Sequence, residues 1–335
     1  MKFGIWVELE MVNEDSDLYR AHPDWVLSVP GRRKSLGRSQ CVLDFSRQDV
    51  VDNIYEQMAA ILASGKVSYV KWDMNRSITE CWSHALPAAR QGEVFHRYIL
   101  GLYDLYERMT TAFPHVLFES CASGGNRFDP GMLYYAPQAW TSDNSDAVER
   151  QKIQYGTSMC YPLSSMGSHV SVVPNHQVNR VTPLHTRANT AYFGTFGYEL
   201  DLGKLSAEEL AEVKDEIAFM KEYREIFQFG TFYRLQSPFE HNVMAWMCVS
   251  GDQKTAIVGW YRTLNRVNDR FARVRLAGLL PDTLYEDSRS GARCYGDELM
   301  HYGLITTDGT TGEPHPEDGL TTDFDSRLYV LNAVE

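Results

Sequence analysis

Two kinds of apolar spacing alternate along the first two thirds of the chain. Short continuous apolar runs at residues 3–7, 41–45, 68–72, 115–119, 139–142 and 168–173 predict strands buried on both faces. Between them the spacing becomes helical. Val51, Ile54, Tyr55, Met58, Ile61 and Leu62 form one stripe, with Gly65 placed to end it. Val94, Phe95, Tyr98, Ile99, Leu102, Tyr103 and Tyr106 form a second. A longer helix is predicted from Ser206, where Glu209 completes a capping box and Leu210, Val213, Ile217 and Met220 follow on one face. Strand–helix alternation implies a parallel sheet with crossover helices.

After Gly230 the pattern changes. Residues 255–261, 271–276, 283–286 and 327–331 are β-rich runs with no helical spacing between them, which predicts a small antiparallel β-sandwich domain. Residues 306–326 are rich in Gly, Thr, Asp and Pro and read as a long loop. The expected division is therefore an α/β domain over residues 1–229 and an antiparallel β domain over 230–335. Six parallel strands are expected, where a closed (β/α)8 barrel needs eight.

Composition narrows the function. The formal charge of −12 speaks against nucleic acid or an anionic membrane as partner and suits a neutral substrate. The six cysteines are scattered without a CxxC pair, and the ten histidines show no ligand spacing, so no metal site is expected. Low cysteine density and the charged residues Glu8 and Glu10 near the start, which argue against a leader, lead us to expect a cytoplasmic location. No stretch is apolar enough to span a membrane.

Several predicted strands end in polar clusters: Trp6 into Glu8 and Glu10, Lys71-Trp-Asp73-Met-Asn75, Glu119-Ser-Cys121-Ala-Ser-Gly124-Gly125, and Thr141-Ser-Asp143-Asn144. In parallel α/β folds such strand ends converge on one site. Two carboxylates there suit glycoside hydrolysis, one attacking the anomeric carbon and one protonating the leaving oxygen. Asp73 beside Lys71 fits the nucleophile, because a nearby ammonium favours the ionised form. Asp143 fits the acid, if burial and a neighbouring negative charge raise its pKa. Taken alone, each cluster is more often a turn or helix cap than a catalytic group. Lys71 could pair with a structural carboxylate, and Cys121 could be a small buried hydrophobe.

At these residues the sequence resembles the family 36 glycoside hydrolases, the bacterial α-galactosidases of the melibiose and raffinose type. The resemblance runs through Phe3-Gly-Ile-Trp-Val-Glu, Asp15-Ser-Asp-Leu-Tyr-Arg-Ala-His-Pro-Asp-Trp, Val70-Lys-Trp-Asp-Met-Asn-Arg, Phe118-Glu-Ser-Cys-Ala-Ser-Gly-Gly-Asn-Arg-Phe-Asp, Trp140-Thr-Ser-Asp-Asn-Ser-Asp-Ala and Phe196-Gly-Tyr-Glu-Leu-Asp. It implies Asp73 as nucleophile and Asp143 as acid/base, with Asp146 the runner-up. It also implies Trp6 as an aromatic wall for galactose, Arg38 and Lys71 as donors to sugar hydroxyls, and Cys121 and Gly124 lining the sugar near its 2-hydroxyl. The implied activity is retaining hydrolysis of small α-galactosides with no cofactor. Galactosyl transfer of the raffinose-synthase kind, or a non-catalytic remnant or half of a split enzyme, are the alternatives.

Two departures accompany the resemblance. Leu9 stands where the family usually has Pro, and no Asp-Asp-Gly-Trp segment occurs. The resemblance therefore implies a TIM-type (β/α)8 barrel lacking its first two βα units. Its expected partners are further copies in a tetramer, or the missing N-terminal half.

Overall fold

The computed structural model describes residues 1–265, 272–306 and 323–334. They form two compact units, Met1–Asp143 and Asn144–Glu335.

In the first unit, β1 (Phe3–Val7) leads to β2 (Met11–Asn13), the short helix α1 (Asp17–Ala21) and β3 (Gln40–Val42). Helix α2 (Gln48–Leu62) precedes β4 (Val67–Trp72), and α3 (Val94–Ala112) precedes β5 (Leu117–Ser120). Helix α4 (Pro130–Tyr135) and β6 (Gln138–Trp140) complete the unit. Strands β1, β4, β5 and β6 pair in parallel, in that order. Along β4, Val67, Val70 and Trp72 are buried while Ser68, Tyr69 and Lys71 are partly open. From Tyr69 to Trp72 successive side chains thus alternate between the helix-covered core and the opposite face, the pleat's period of two. Trp72 stacks on Tyr106 of α3 at 4.1 Å, and Phe118 meets Tyr106 edge-on at 6.0 Å. Each such buried ring contributes roughly 1.5–3 kcal/mol by leaving water. Gly101 lets α3 approach closely, since a Cβ there would stand 1.9 Å from the Phe45 carbonyl oxygen. The stripe of α2 is buried as expected at Val51, Ile54, Met58 and Leu62. The helix ends with Ala63 as C-cap, and Gly65 adopts a positive φ two residues later.

Two expectations for this unit are corrected. Residues 41–45 are buried, but they do not join the parallel strands; β3 pairs antiparallel with β2 instead. An apolar run states that a segment is covered and not which strand covers it. Strand β1 is also not buried on both faces, for Phe3 and Trp6 stand exposed.

The second unit opens with α5 (Ala147–Thr157), β7 (Met166–Ser171), α6 (Leu184–Ala191), β8 (Thr195–Glu199) and α7 (Ala207–Phe229). Strands β7 and β8 are parallel, and β8 is a strand that the apolar runs did not mark. Its residues are neither buried nor strongly apolar. Helix α7 begins in the expected capping box: Glu209 N donates to Ser206 Oγ at 3.2 Å, and Ser206 N to Glu209 Oε2 at 2.8 Å.

Antiparallel strands follow: β9 (Thr231–Gln236), β10 (Val243–Val249), β11 (Thr255–Arg262), β12 (Arg273–Val274), β13 (Leu284–Asp287), β14 (Arg293–Tyr295), β15 (Leu304–Ile305) and β16 (Asp325–Ala333). They make a six-stranded sheet in the order β14-β13-β16-β11-β10-β9 and a separate pair β12-β15. A short helix, α8 (Gly296–His301), lies among them where only strands were expected. Phe271 and most of the expected loop, 307–322, lie outside the described residues, and Asp325 and Ser326 belong to β16 rather than to the loop. Among the described residues no helix is long and apolar enough to cross a membrane.

Candidate active site

Asp73 is the first residue after β4, and its backbone N–H still donates to Val7 O at 2.9 Å, continuing the ladder. Its side chain emerges on the face opposite Trp72 and is only 6% exposed. Around the carboxylate the donors are dense. Trp6 Nε1 donates at 3.1 Å, Asn75 Nδ2 at 2.5 Å, Met74 N at 2.8 Å and Ser123 N at 3.4 Å, and the Cys121 thiol donates as well. Burial by itself pushes this carboxyl up, but the hydrogen bonds from Cys121, Asn75, Trp6 and Ser123 outweigh it and hold the acid below its ordinary value. The group is therefore ionised at neutral pH. Burial first, and then the Asp73 charge, push the Cys121 thiol up to about 12, so it stays protonated and available as a donor.

Asn75 extends this network outward. Its amide also donates to Glu8 Oε1 at 2.8 Å, and its carbonyl accepts from Ser123 Oγ at 3.0 Å. Glu8 in turn accepts from Arg38 Nη1 at 2.8 Å and Gln40 Nε2 at 3.3 Å. Arg38 and Ser39 both take positive φ, which turns the loop so that the guanidinium faces Glu8. Arg38 thus reaches Asp73 through two intermediaries.

Lys71 is on the same face of β4, yet its ion pair is with Glu119 of β5, at 3.2 Å. Glu119 is buried and also accepts from the Tyr69 hydroxyl, so it draws the ammonium to itself. The ammonium lies 4.4 Å over the ring of Trp140. The edge of that indole carries the second acid, with Trp140 Nε1 donating to Asp143 Oδ1 at 3.1 Å. Lys71 and Asp143 therefore share one aromatic neighbour.

Asp143 is exposed, against the expectation of burial. Strand β6 ends at Trp140, so Asp143 lies three residues out on the following loop. Asp146 is the buried acid of this segment. It caps α5, accepting from Glu149 N at 3.0 Å, and its carboxylate is ion-paired to Arg180. Both roles are structural.

The turn after β5 links the two loops that carry the acids. Gly124 sits at φ +83°, and a Cβ there would stand 2.8 Å from Ser142 Cα. Glycine lets this turn touch the Ser142–Asp143 backbone while Ser123 N reaches Asp73. The structure thus brings Trp6, Asp73, Cys121 and Gly124 together, places Lys71 and Asp143 on Trp140, and sets Arg38 at the outer end of the Glu8–Asn75 chain. Asn75, Glu119 and Ser123 were missed as partners; their positions in the strand-end clusters were the available signal.

These features define an α/β protein with a carboxylate site at the ends of parallel strands. The melibiase family profile matches residues 1–230, and that of the glycosyl hydrolase family 36 C-terminal domain matches residues 243–331. The chain belongs to this family. It is 53% identical over its whole length to alpha-galactosidase AgaA of Geobacillus stearothermophilus, of which it spans 44%. It is 49% identical over 91% of its length to the bifunctional alpha-galactosidase/sucrose kinase AgaSK of Mediterraneibacter gnavus, of which it spans 32%. The crystal structure of the Geobacillus AgaA enzyme superposes with a TM-score of 0.94 over 100% of this chain and 45% of that one. The chain thus spans less than half the length of the curated relatives it matches.

Proposed function

We propose that this chain carries the two catalytic acids of a retaining α-galactosidase acting on small galactosides. The observation that carries the reading is Asp73: a buried carboxylate at the end of a parallel strand, held ionised by five donors. An ionised carboxylate in that position is what attack on an anomeric carbon requires. Kinship at 53% identity to a named alpha-galactosidase supports the substrate class.

In this reading Asp73 attacks the anomeric carbon as Asp143 protonates the departing oxygen. Asp143, now ionised, takes a proton from water, and the resulting nucleophile displaces Asp73 and releases galactose with its configuration retained. The exposure of Asp143 suits a group that must meet both a leaving group and water. Trp6, with half its surface open and its edge on Asp73, forms the wall of the sugar subsite. Lys71 and Arg38 donate to sugar hydroxyls, and Cys121 and Gly124 line the sugar near its 2-hydroxyl. We assign these strands to a (β/α)8 barrel of which residues 1–229 form part, with residues 230–335 as the antiparallel domain.

Hydrolysis of p-nitrophenyl α-galactoside by the full-length protein, with Asp73→Asn as control, tests the proposal. Loss of activity in Asp73→Asn and first release of α-galactose, seen by NMR, are expected. An active Asp73→Asn protein, or release of the β-anomer first, overturns it.

A further inference from the structure

We infer that Glu10 is a positioning residue for Asp73, acting through Trp72 and tying three site-bearing segments to one buried charge. The inference rests on the reading of Asp73 as nucleophile. Glu10 follows β1 by three residues and is 0% exposed. Three side chains from different segments donate to its two oxygens. Trp72 Nε1, from β4, approaches Oε1 at 3.0 Å. Tyr98 OH, from α3, lies 2.5 Å from Oε2, and Arg127 Nη1, from the segment that follows the Gly124–Gly125 turn, lies 2.8 Å from it. The Glu10 backbone carbonyl also accepts from Leu43 N at 2.9 Å.

Tyr98 ties Glu10 to the covering helix α3, while the other two connections and Glu10's own segment lie beside residues of the site. Trp72 immediately precedes Asp73. Arg127 continues the turn whose Ser123 N–H and Cys121 thiol donate to Asp73. Glu10 itself follows Trp6 and Glu8 on the strand end that supplies the indole donor. The strand pleat makes the link to Asp73 mechanical. Neighbouring side chains leave a strand on opposite faces, so the direction of one follows from the anchoring of the other. Trp72 is anchored twice, by its stack on Tyr106 and by its hydrogen bond to Glu10. Rotation of β4 about its own axis would break both.

The charge at Glu10 also has a dependent. Arg127 Nε and Nη2 are buried without hydrogen-bond partners, so among the described residues its guanidinium relies on Glu10 for its one ion pair. A buried charge relieved of its partner is driven toward solvent. Here that movement would carry the Cys121–Gly125 turn with it, away from both Asp73 and Ser142.

The test uses the full-length protein and three variants: Glu10→Gln, Trp72→Phe and Tyr98→Phe. Trp72→Phe keeps an aromatic ring against Tyr106 and removes the indole donor. Kinetics on p-nitrophenyl α-galactoside and thermal unfolding are measured together. A positioning role predicts that kcat falls about 10- to 100-fold in Glu10→Gln and Trp72→Phe while KM changes little, the signature of a nucleophile displaced by a fraction of an ångström. A purely structural role predicts lower melting temperatures with unchanged kcat in the folded protein, and that result overturns the inference. If Glu10→Gln does not fold, Trp72→Phe and Tyr98→Phe, which keep the Glu10–Arg127 pair, decide by the same criterion. Asp73→Asn run alongside separates the two levels: full activity there removes the nucleophile assignment itself, whereas an inactive Asp73→Asn with normal Trp72→Phe and Tyr98→Phe kinetics removes Glu10's role alone.

Discussion

The indole N–H of Trp6 meets a carboxylate oxygen of Asp73 at 3.1 Å, across the parallel pair β1 and β4. Because Trp6 is also 50% exposed, one ring can hold the acid with its edge and offer the rest of its surface to a ligand. Trp6→Phe separates these tasks, since it keeps an aromatic surface and removes the donor. Asp73 lies below the ordinary aspartate value of 3.8, so its ionised form persists above that value and is lost as pH falls through the lowered pKa. Taking away one donor raises the pKa. The acid limb of kcat/KM should move to higher pH, with kcat/KM at neutral pH down about 5- to 30-fold. A limb that stays in place would show that the Trp6 bond does not tune the acid.

Asp143 and Asp146 should respond differently to replacement. Asp143→Asn removes an exposed acid that has no capping duty. It should lower kcat/KM, which reports the first step, by about 10²–10⁴-fold on galactosides with poor leaving groups, and much less on p-nitrophenyl α-galactoside, whose leaving group needs little protonation. Asp146→Ala removes a helix cap and the partner of Arg180. It should cost about 2–4 kcal/mol of stability in denaturant unfolding, with the same proportional rate change on both substrates. Leaving-group dependence in Asp146→Ala would exchange the two assignments.

Gly124→Ala places a methyl against the Ser142 backbone at a φ of +83°. The strained backbone alone costs about 1–3 kcal/mol. The turn should shift, withdrawing the Ser123 donor, and kcat/KM should fall by about tenfold or more. A variant with the parent's melting temperature and kcat/KM would mean that the turn has slack that the contact distances do not suggest.

Glu216 of α7 carries its own pH dependence. It is buried and accepts from the Tyr198 hydroxyl, and burial raises its carboxyl to about 7. Between its ordinary value of 4.5 and about 7, the unfolded chain is ionised at this site while the folded chain stays protonated. The folded state then binds more protons, so this group's contribution falls as pH rises through that window. Glu216→Gln removes the dependence. Its stability relative to the parent should rise by about 1–2 kcal/mol between pH 5 and pH 8 in denaturant unfolding. A constant difference across that range would place the Glu216 pKa near its unfolded value.

Local structure was largely legible in the sequence. Helical spacing marked α2 and α3, the Ser206–Glu209 pair marked the start of α7, and continuous apolar runs marked β4, β5 and β7 within two residues. Residues 195–199 escaped because β8 is only half buried and carries no strong apolar run. In the site, strand-end position was enough to select Asp73, Cys121, Gly124 and Asp143 for attention. The partners of those residues were a different matter. Lys71 is two residues from Asp73 and on the same face, yet Glu119 takes its ion pair.

The periods of two and 3.6 are properties of the chain itself, so the sequence alone marked most of the segments that became strands and helices, β8 and α8 apart. Tertiary structure decided what each covered or open face would meet. That contact depends on the register between segments tens of residues apart, which no local spacing encodes. It set Cys41 and Val42 against β2 rather than among the parallel strands. It left Asp143 exposed and buried Asp146 three residues away. It also gathered Trp72, Tyr98 and Arg127 around Glu10, because a carboxylate removed from water must collect its donors from whichever segments the fold brings within reach.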